Sequence, residues 1–326
     1  MRPACTGRRR DARRAAVRSQ RGMALITAII LVAIAAVLAT AIGFASAMLA
    51  RRASTVFGAD QSLLAAEGAE AMAGYVLKQS AFGGGLISPS QPWAQTYGPI
   101  ELLPGVTLEF AQIEDQQGKF NINNLADGGI TDQTSVQEFE QLLSLLGLET
   151  KWAGIIADWI DTDNLPNFPD GAEDSVYLTQ DPPSRAANLP ISSISELLAL
   201  PGLGRDRYNK LAPYIAALPA ASTINVCTAS GVLLDAISGK TEYSTDLQRL
   251  ESERMTETCF PTLAVYSASL NAQQQAKISG RLGTTSSYFR LRSFITIGTA
   301  RFSLYSLLYL DGGGQIRPII RTFGTE

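Results

Sequence analysis

The most constraining feature of this chain is a run of 28 residues, 23–50, that contains no charged side chain. About 20 helical residues cross the hydrocarbon core of a bilayer, so the run is long enough to span a membrane with some tilt. The 22 residues before it carry eight arginines and a single acid, Asp11. Basic residues beside a membrane segment stay in the cytoplasm. The pattern therefore predicts a single-pass protein whose C-terminal part lies outside the cytoplasm.

A cleavable secretory signal is the alternative to an anchor, since Ala-Ser-Ala at 45–47 offers small residues for cleavage. However, the apolar stretch before that point is longer than the roughly 7 to 15 residues of such signals. Apolar residues also continue at helical spacing beyond it, for example Val56 and Leu63. We therefore predict one helix from about 23 to 80, roughly 85 Å long. An exported enzyme released by cleavage at 45–47 is the competing hypothesis.

Charge is divided unevenly along the chain. The formal net charge is −3, and residues 1–22 contribute +7 of it, which leaves −10 for the rest. An acidic surface neutralises phosphates poorly, so we expect no nucleic-acid partner. Histidine is absent, which removes the usual general base near neutral pH and most kinds of zinc site. The composition argues against an enzyme.

One segment is similar to a nucleic-acid-binding motif. Residues 196–204, Glu-Leu-Leu-Ala-Leu-Pro-Gly-Leu-Gly, have the pattern of a helix-hairpin-helix, whose glycine turn can offer backbone amides to a phosphate. Positive charge nearby comes only from Arg205, Arg207 and Lys210. We interpret the segment as a tight turn between two packed helices, with DNA binding as the alternative.

The cysteines indicate a compartment. Cys5 lies in the basic leader, which leaves Cys227 and Cys259 in the body of the chain. Two cysteines behind an export-type segment predict one disulfide formed outside the cytoplasm. It would close a loop of about 33 residues and add about 3 to 4 kcal/mol in the chain-entropy model. Two buried free thiols are the alternative.

The remaining pattern predicts an α+β fold. Residues 106–115 have the β-branched and aromatic content of a strand, and alternation after residue 286 predicts three more, the last two joined by a glycine-rich turn. From about 121 to 280 the signals are mostly helical, and Gly or Pro ends each segment. The predicted helical segments are 136–148, 151–161, 193–203 and 205–218. We expect a pilin-like fold, in which a long N-terminal helix packs on an antiparallel sheet and a large all-α insertion interrupts that sheet.

An acidic segment lies inside the predicted insertion. Its six carboxylates are those of Asp158, Asp161, Asp163, Asp170, Glu173 and Asp174. Two prolines and a glycine make the middle of the segment a loop, and hard oxygen ligands on a loop suit calcium. The spacing is not that of an EF-hand. A solvated acidic loop whose aspartates cap turns is the alternative, and the residues alone favour neither.

The N-terminus resembles that of type IV pilins and pseudopilins. It has a basic leader that ends in glycine, here Gly22, and then Met-Ala-Leu-Ile-Thr at the start of an apolar helix. The resemblance implies that a prepilin peptidase cuts after Gly22 and methylates the new amino terminus, Met23. The apolar helix would then remain as a membrane anchor and later as the packing element of a filament.

The residue at position 27 limits the resemblance to one type of pilin-like subunit. Most pilin-like subunits carry glutamate at the fifth mature position, where this chain has Thr27. In the family that glutamate is thought to pair with the terminal amine of the subunit above, and an unpaired carboxylate among apolar helices is costly. A subunit with none above it has no need of the glutamate. Blocks along the mature chain, including 118–125 and 158–177, are likewise similar to the K-type minor pseudopilins of type II secretion (GspK).

The K-type resemblance implies a function in assembly and not in catalysis. It implies a minor pseudopilin at the tip of the type II secretion pseudopilus, which initiates and caps the filament for protein export across the outer membrane. Its partners would be the I- and J-type minor pseudopilins, the major pseudopilin and the prepilin peptidase. The protein would sit in the bacterial inner membrane with its C-terminal domain in the periplasm, and at the pseudopilus tip after assembly. A membrane-anchored periplasmic binding protein and a tip subunit of a related type IV pilus are the alternatives.

The same resemblance favours calcium as a structural cofactor, because family members hold calcium in the insertion. We favour Asp161, Asp163, Glu173 and Asp174 as ligands, and we expect Asp158 to face along a helix. The expected domains are a basic leader (1–22), a transmembrane part of the N-terminal helix (23–50), its amphipathic continuation with the first strands (51–120), the helical insertion (121–285) and the C-terminal strands (286–326).

Overall fold

The computed structural model describes residues 9–81, 85–219, 221–298 and 300–324, and it describes the side chains of the N-terminal helix from residue 23 to 80. The first eight residues of the predicted leader, with Cys5, lie outside the described residues. The chain divides into two compact units, Met1–Leu63 and Leu64–Glu326.

A single long helix, α1, runs over Arg9–Ala81. It begins before the predicted residue 23, because arginine and alanine in the leader are themselves strong helix formers. Among the described helices, only the part Met23–Ser80 is long and apolar enough to cross a membrane, with a mean hydropathy of 2.9 in its most apolar window. Its apolar side chains over 23–50 are exposed. The predicted membrane segment therefore lies on one uninterrupted helix.

The C-terminal part of α1 packs on a sheet. Its buried residues Ala66, Ala69, Ala73 and Leu77 recur at spacings of three and four, so they share one face of the helix. They belong to the same core as Phe289 of the sheet. Small alanine side chains on that face let the helix lie close to the strands.

The strands are mostly short outside the main sheet. They are β1 (Thr96–Tyr97), β2 (Ile100–Leu103), β3 (Val106–Asp115), β4 (Phe120–Asn121), β5 (Ala126–Asp127), β6 (Ile130–Thr131), β7 (Ile215–Ala216), β8 (Ile224–Asn225), β9 (Leu282–Gly283), β10 (Tyr288–Ile297), β11 (Ala300–Leu310) and β12 (Ile316–Phe323). The main sheet is antiparallel in the order β1-β3-β10-β11-β12, with β2 also paired to β3. The strand predicted at 106–115 and the three predicted after residue 286 are confirmed.

Strands β3 and β10 are neighbours in the sheet, although residues 116–287 separate them in the sequence. Asp115 at the end of β3 lies opposite Phe289 near the start of β10. The predicted architecture is confirmed: the chain leaves the sheet after β3, forms a mainly helical region, and returns to the sheet at β10. The insertion was expected to be all-α, and it also holds the short strands β4 to β9.

The helical region contains eight described α-helices. They are α2 (Gln133–Leu145), α3 (Trp152–Ile160), α4 (Asp174–Tyr177), α5 (Gly204–Leu211), α6 (Gly231–Ser238), α7 (Leu247–Thr256), α8 (Leu263–Ala268) and α9 (Ala272–Ile278). The predicted helices at 136–148 and 151–161 correspond to α2 and α3.

Two of the predicted helices are shorter than expected. Residues 193–203 form only a 3₁₀ helix, Ile194–Ala199. It begins at a capping box formed by Ser193 and Glu196, and Pro201 prevents its extension. Residues 205–218 are divided into α5, a 3₁₀ turn Ala212–Tyr214 and the short strand β7. Pro213 cannot donate the hydrogen bond that would continue α5.

A disulfide lies in the second half of the helical region. The sulfurs of Cys227 and Cys259 are bonded, and both residues are buried. The buried Arg254 beside them donates to the backbone oxygens of Phe260 at 2.7 Å, Ala229 at 2.7 Å and Val226 at 3.1 Å. The disulfide and this arginine thus both connect residues 226–229 to residues 254–260.

A buried aspartate connects the sheet to the helical region. The Asp115 carboxylate accepts hydrogen bonds from Ser286 Oγ at 2.6 Å, Thr228 Oγ1 at 2.6 Å, the Gln117 backbone N–H at 2.9 Å and Asn225 Nδ2 at 3.1 Å. Burial raises the pKa of Asp115 even against these hydrogen bonds. This carboxylate fixes the point at which the chain leaves the sheet.

Candidate metal site

The acidic loop runs from the end of α3 to the start of α4. Asp161 is the C-terminal cap of α3, and its backbone N–H bonds to Ala157. The backbone N–H of Thr162 then donates to Gly129 O at 3.0 Å, which places the loop against the β5–β6 hairpin. The start of the loop is therefore fixed by both a helix end and a hairpin.

Asp158 holds the loop together from within. Its side chain is fully buried, and it accepts hydrogen bonds from both the backbone N–H (3.1 Å) and Nδ2 (2.5 Å) of Asn167. Gly171 lies so close that a Cβ there would be 2.3 Å from Asp158 Oδ2. Asp158 was expected to face along a helix, but it points into the loop and supports its path.

Three carboxylates converge inside this frame. Asp161, Asp163 and Glu173 each offer an oxygen, and these oxygens lie within 4.8 Å of one another. Asp161 is 1% and Glu173 3% exposed, whereas Asp163 is open to solvent. The arrangement offers the hard oxygen donors that calcium prefers, and the side of Asp163 is open to further ligands from solvent.

Three buried carboxylate oxygens of this group lack hydrogen-bond partners. Asp161 Oδ1 and both carboxylate oxygens of Glu173 make no hydrogen bond. Buried polar groups are nearly always satisfied, and a buried charge without a partner is costly. The vacant hydrogen-bonding capacity shows that these residues could hold a metal ion.

Electrostatics support the same conclusion. Burial, together with repulsion from Asp158, Asp161 and Asp163, raises the pKa of Glu173 to about 7. Burial also raises the pKa of Asp161, although Thr131 Oγ1 donates to its Oδ2 at 2.9 Å. Like charges this close destabilise one another unless a cation lies among them.

Asp174, the fourth expected ligand, is placed elsewhere. Its carboxylate accepts a hydrogen bond from the backbone N–H of Ala186 at 3.0 Å and lies 3.8 Å from Arg185 Nε. Asp174 thus begins α4 and attaches the following segment to it, and it is not one of the three converging carboxylates.

Sequence reasoning missed the residues that support the site from outside the acidic loop. Thr131 and Asn167 both donate to Asp161 Oδ2, at 2.9 Å and 3.4 Å. Asn167 lies within the predicted loop and could have been suspected, but Thr131 comes from the β5–β6 hairpin. A contact across 30 residues has no signal in the sequence.

Comparisons with known proteins agree with this architecture. The type II secretion system protein K of Pseudomonas aeruginosa is 30% identical over 94% of both chains. That of Pectobacterium carotovorum subsp. carotovorum is 30% identical over 94% of this chain and 97% of its own. The family profile "Type II secretion system (T2SS), protein K" matches residues 118–220.

The chain belongs to the type II secretion system protein K family.

A solved structure shares the fold. A chain in the crystal structure of the GspK-GspI-GspJ complex from the enterotoxigenic Escherichia coli type 2 secretion system matches with a TM-score of 0.71 and 25% identity, covering 84% of this chain and all of that one. The predicted pilin-like fold with an intervening helical region is confirmed, as is the assignment to the K-type minor pseudopilins of type II secretion. These are structural subunits, so the interpretation as a non-enzymatic protein holds.

The residues of family interest on α1 are also placed by the structure. Gly22 lies within α1, in the part whose side chains are outside the described residues. Met23 is 66% exposed. Thr27 donates its hydroxyl to the backbone oxygen of Ala24 at 3.0 Å, so its polar group is satisfied within its own helix.

The helix-hairpin-helix-like segment forms a turn, as interpreted from the sequence. Gly202 adopts a left-handed conformation with φ of +84° between the 3₁₀ helix Ile194–Ala199 and α5. Arg207 pairs with Glu149 through two hydrogen bonds of 2.6 Å and 2.8 Å. An arginine held by a carboxylate is poorly placed to bind phosphate.

Proposed function

We propose that this K-type minor pseudopilin forms the tip of the type II secretion pseudopilus, where it initiates and caps filament assembly for export across the outer membrane. The observation that best supports the proposal is the presence of threonine at position 27. This residue stands where most pilin-like subunits carry a glutamate, and its hydroxyl bonds to Ala24 of its own helix. It leaves no charge in the apolar segment that a subunit above would have to neutralise.

The helical region supports a terminal position. It is inserted between β3 and β10 and is fixed to the sheet by the buried Asp115. A subunit inside a filament must present matching surfaces above and below. A large insertion on one subunit type is best accommodated at an end, where nothing has to stack on it.

Processing and anchoring follow from α1. We propose cleavage by the prepilin peptidase after Gly22 and methylation of Met23, which would leave the apolar segment 23–50 on the mature protein as its single anchor. The inner membrane would hold this segment and the periplasm the C-terminal unit, since the arginines lie on the N-terminal side.

The partners proposed are the I- and J-type minor pseudopilins, with the major pseudopilin joining below. The support is the likeness to the chain of the GspK-GspI-GspJ complex, which covers 84% of this chain. The apolar, exposed side chains of α1 between 23 and 50 give the partner helices a surface on which to pack.

Calcium is the proposed structural cofactor, bound by Asp161, Asp163 and Glu173. Bound there, the ion would supply the positive charge that these carboxylates lack and would occupy the free oxygens of Asp161 and Glu173. Asp158 and Asn167 would keep the loop in the shape that brings the carboxylates together.

The tip position is tested by stoichiometry as a function of filament length. Filaments of different mean length would be prepared by varying the amount of the major pseudopilin and measured by electron microscopy. Quantitative mass spectrometry of the sheared pseudopili should show the ratio of this chain to the major pseudopilin falling in inverse proportion to mean length. A second minor pseudopilin of the same complex serves as a reference and should fall in parallel. A ratio that stays constant as the filaments lengthen would place the chain along the shaft and overturn the proposal.

A further inference from the structure

Buried polar atoms without hydrogen bonds are concentrated around the acidic loop. Six of the nine such side-chain atoms among the described residues belong to residues 159–188. They are Trp159 Nε1, Asp161 Oδ1, Glu173 Oε1, Glu173 Oε2, Tyr177 Oη and Asn188 Oδ1. Because buried polar groups are normally paired, this concentration indicates that the bonding of the region is completed by something besides the protein.

Asn188 is the member of this group that lies outside the acidic segment. Its Nδ2 donates to the backbone oxygen of Asp163 at 2.9 Å and to Asn164 Oδ1 at 3.3 Å. Its amide oxygen, on the same carbon, is buried beside Asp163 and has no partner. Asn188 therefore carries a neutral, unpartnered oxygen on the same amide group that contacts the backbone of Asp163, one of the three residues whose carboxylates converge.

The backbone of Asn188 has a left-handed conformation. Its φ of 47° lies in the left-handed region, which among the described residues only Asn188 and Ala221 occupy without being glycine. Asparagine adopts this conformation more readily than other residues with a Cβ, because its short side chain can form local hydrogen bonds. The hydrogen bonds from its side-chain amide to Asp163 and Asn164 hold Asn188 in this conformation.

We propose that Asn188 Oδ1 is a further protein ligand of the calcium site. The inference rests on the proposed binding of calcium by Asp161, Asp163 and Glu173. Side-chain amide oxygens are common calcium ligands, and a neutral oxygen adds no repulsion to three carboxylates. The ion would then join the acidic loop directly to the segment after α4, across the 25 residues between Asp163 and Asn188.

The test uses the full-length protein in detergent and the substitution Asn188→Gly. Glycine removes the amide oxygen but suits a positive φ, so the fold should be retained. Calorimetric titration with calcium should show an affinity reduced by about tenfold or more, since ligand number sets affinity at such sites. The matched control is Ala221→Gly, which relieves the same kind of backbone strain away from the loop and should bind calcium like the wild type.

Asn188 could also act only by positioning Asp163, and lanthanide luminescence separates the two roles. Terbium replaces calcium at oxygen sites, and Trp159 and Tyr177, whose rings lie 5.1 Å apart beside the loop, provide sensitisers. Terbium lifetimes in H₂O and D₂O report the number of coordinated waters. If Asn188 is a ligand, Asn188→Gly should gain an additional coordinated water compared with both the wild type and Ala221→Gly.

The outcomes distinguish this inference from the proposal on which it rests. Wild-type calcium affinity in Asn188→Gly, or weaker affinity with an unchanged water count, would show that Asn188 is not a ligand while leaving the calcium site intact. If the wild type itself binds neither calcium nor terbium, the site formed by the three carboxylates fails and the role of Asn188 fails with it.

Discussion

Oxygens of Asp161 and Glu173 lie within 4.8 Å of each other, although the two side chains are only 1% and 3% exposed. Two buried carboxylates at this distance repel each other, and burial is the main cause that raises the pKa of both, with repulsion from Asp158 and Asp163 adding to it. This repulsion therefore destabilises the metal-free protein, and a bound cation would remove it.

Replacing Glu173 by glutamine should separate that repulsion from metal binding. Glu173→Gln removes one of the repelling charges, so the metal-free protein should melt a few degrees higher, corresponding to about 1 kcal/mol. The same change removes a charged ligand, so the rise in melting temperature that calcium gives the wild type should largely disappear. Thermal unfolding with calcium and with a chelator measures both effects.

The matched control for that experiment is Glu109→Gln. Glu109 is exposed on β3 and outside the acidic loop. This variant should keep the full response to calcium. If Glu173→Gln lowers the metal-free melting temperature, the carboxylate is stabilising without metal and the electrostatic account of the loop is wrong.

Stability should depend on pH through Glu138. Burial raises the pKa of Glu138 to about 6 against an ordinary value of 4.5, although Arg281 Nη2 lies 3.1 Å away and opposes the shift. The folded state thus holds a proton that the unfolded state releases between these values. The free energy of unfolding should fall by about 2 kcal/mol on account of this group as the pH rises from about 4.5 to about 6.

The pKa values of Asp115, Asp158, Asp161 and Glu173 are also raised, so the contribution of Glu138 is measured as a difference between two proteins. Urea unfolding of the wild type and of Glu138→Gln at several pH values isolates the contribution of Glu138. The wild type should lose stability relative to the variant as the pH rises through this window. A constant difference would mean that Glu138 has an ordinary pKa.

The disulfide should contribute measurably to stability. Cys227 and Cys259 are 32 residues apart, and closing a loop of that size restricts the unfolded chain by about 3 to 4 kcal/mol in the chain-entropy model. The double variant Cys227→Ala/Cys259→Ala and the reduced wild type should both lose about this amount in urea unfolding. If reduction has no effect while the double variant is destabilised, packing of the sulfurs and not the crosslink would be responsible.

Asp115 should be among the most sensitive positions of the C-terminal unit. Asp115→Ala would remove the buried acceptor that the side chains of Ser286, Thr228 and Asn225 share. A loss of about 2 to 4 kcal/mol is expected in urea unfolding. Glu109→Ala, an exposed change on the same strand, should cost less than about 0.5 kcal/mol. Equal effects of the two changes would contradict the structural role assigned to Asp115.

Periodicity revealed most of the architecture. The alternation of residues 288–323 gives three adjacent strands because each residue contributes to one face or the other of a sheet that is half covered. The helical spacing of apolar residues beyond position 50 predicted the continuation of α1, although Val56 and Leu63 are exposed and the face that packs on the sheet is formed by Ala66, Ala69, Ala73 and Leu77. Such features are local, so a single sequence carries them.

Residues joined across long stretches of chain could not be predicted in the same way. Asp115 meets Ser286 across 171 residues and Thr228 across 113. Glu70 of α1 pairs with Arg321 of β12 at 2.6 Å across 251 residues. No local pattern distinguishes these side chains from exposed charges, because their partners are known only once the fold is complete.

The candidate metal site lies between these two cases. Clustered acids on a Pro- and Gly-containing loop indicated Asp161, Asp163 and Glu173, because these residues are near one another in sequence. The local pattern could not tell them from Asp174, which turns toward Ala186 and Arg185, or from Asp158, which supports the loop. It also gave no reason to consider Thr131 or Asn188. Side-chain direction within a loop depends on contacts that the sequence does not display.

The most direct test of the pseudopilin account is the mature amino terminus, determined by mass spectrometry from cells with and without the prepilin peptidase. The account predicts a chain that begins at N-methylated Met23 only when the peptidase is present, with residues 23–50 retained. A chain that begins after residue 47, or one that keeps its leader in both strains, would contradict it.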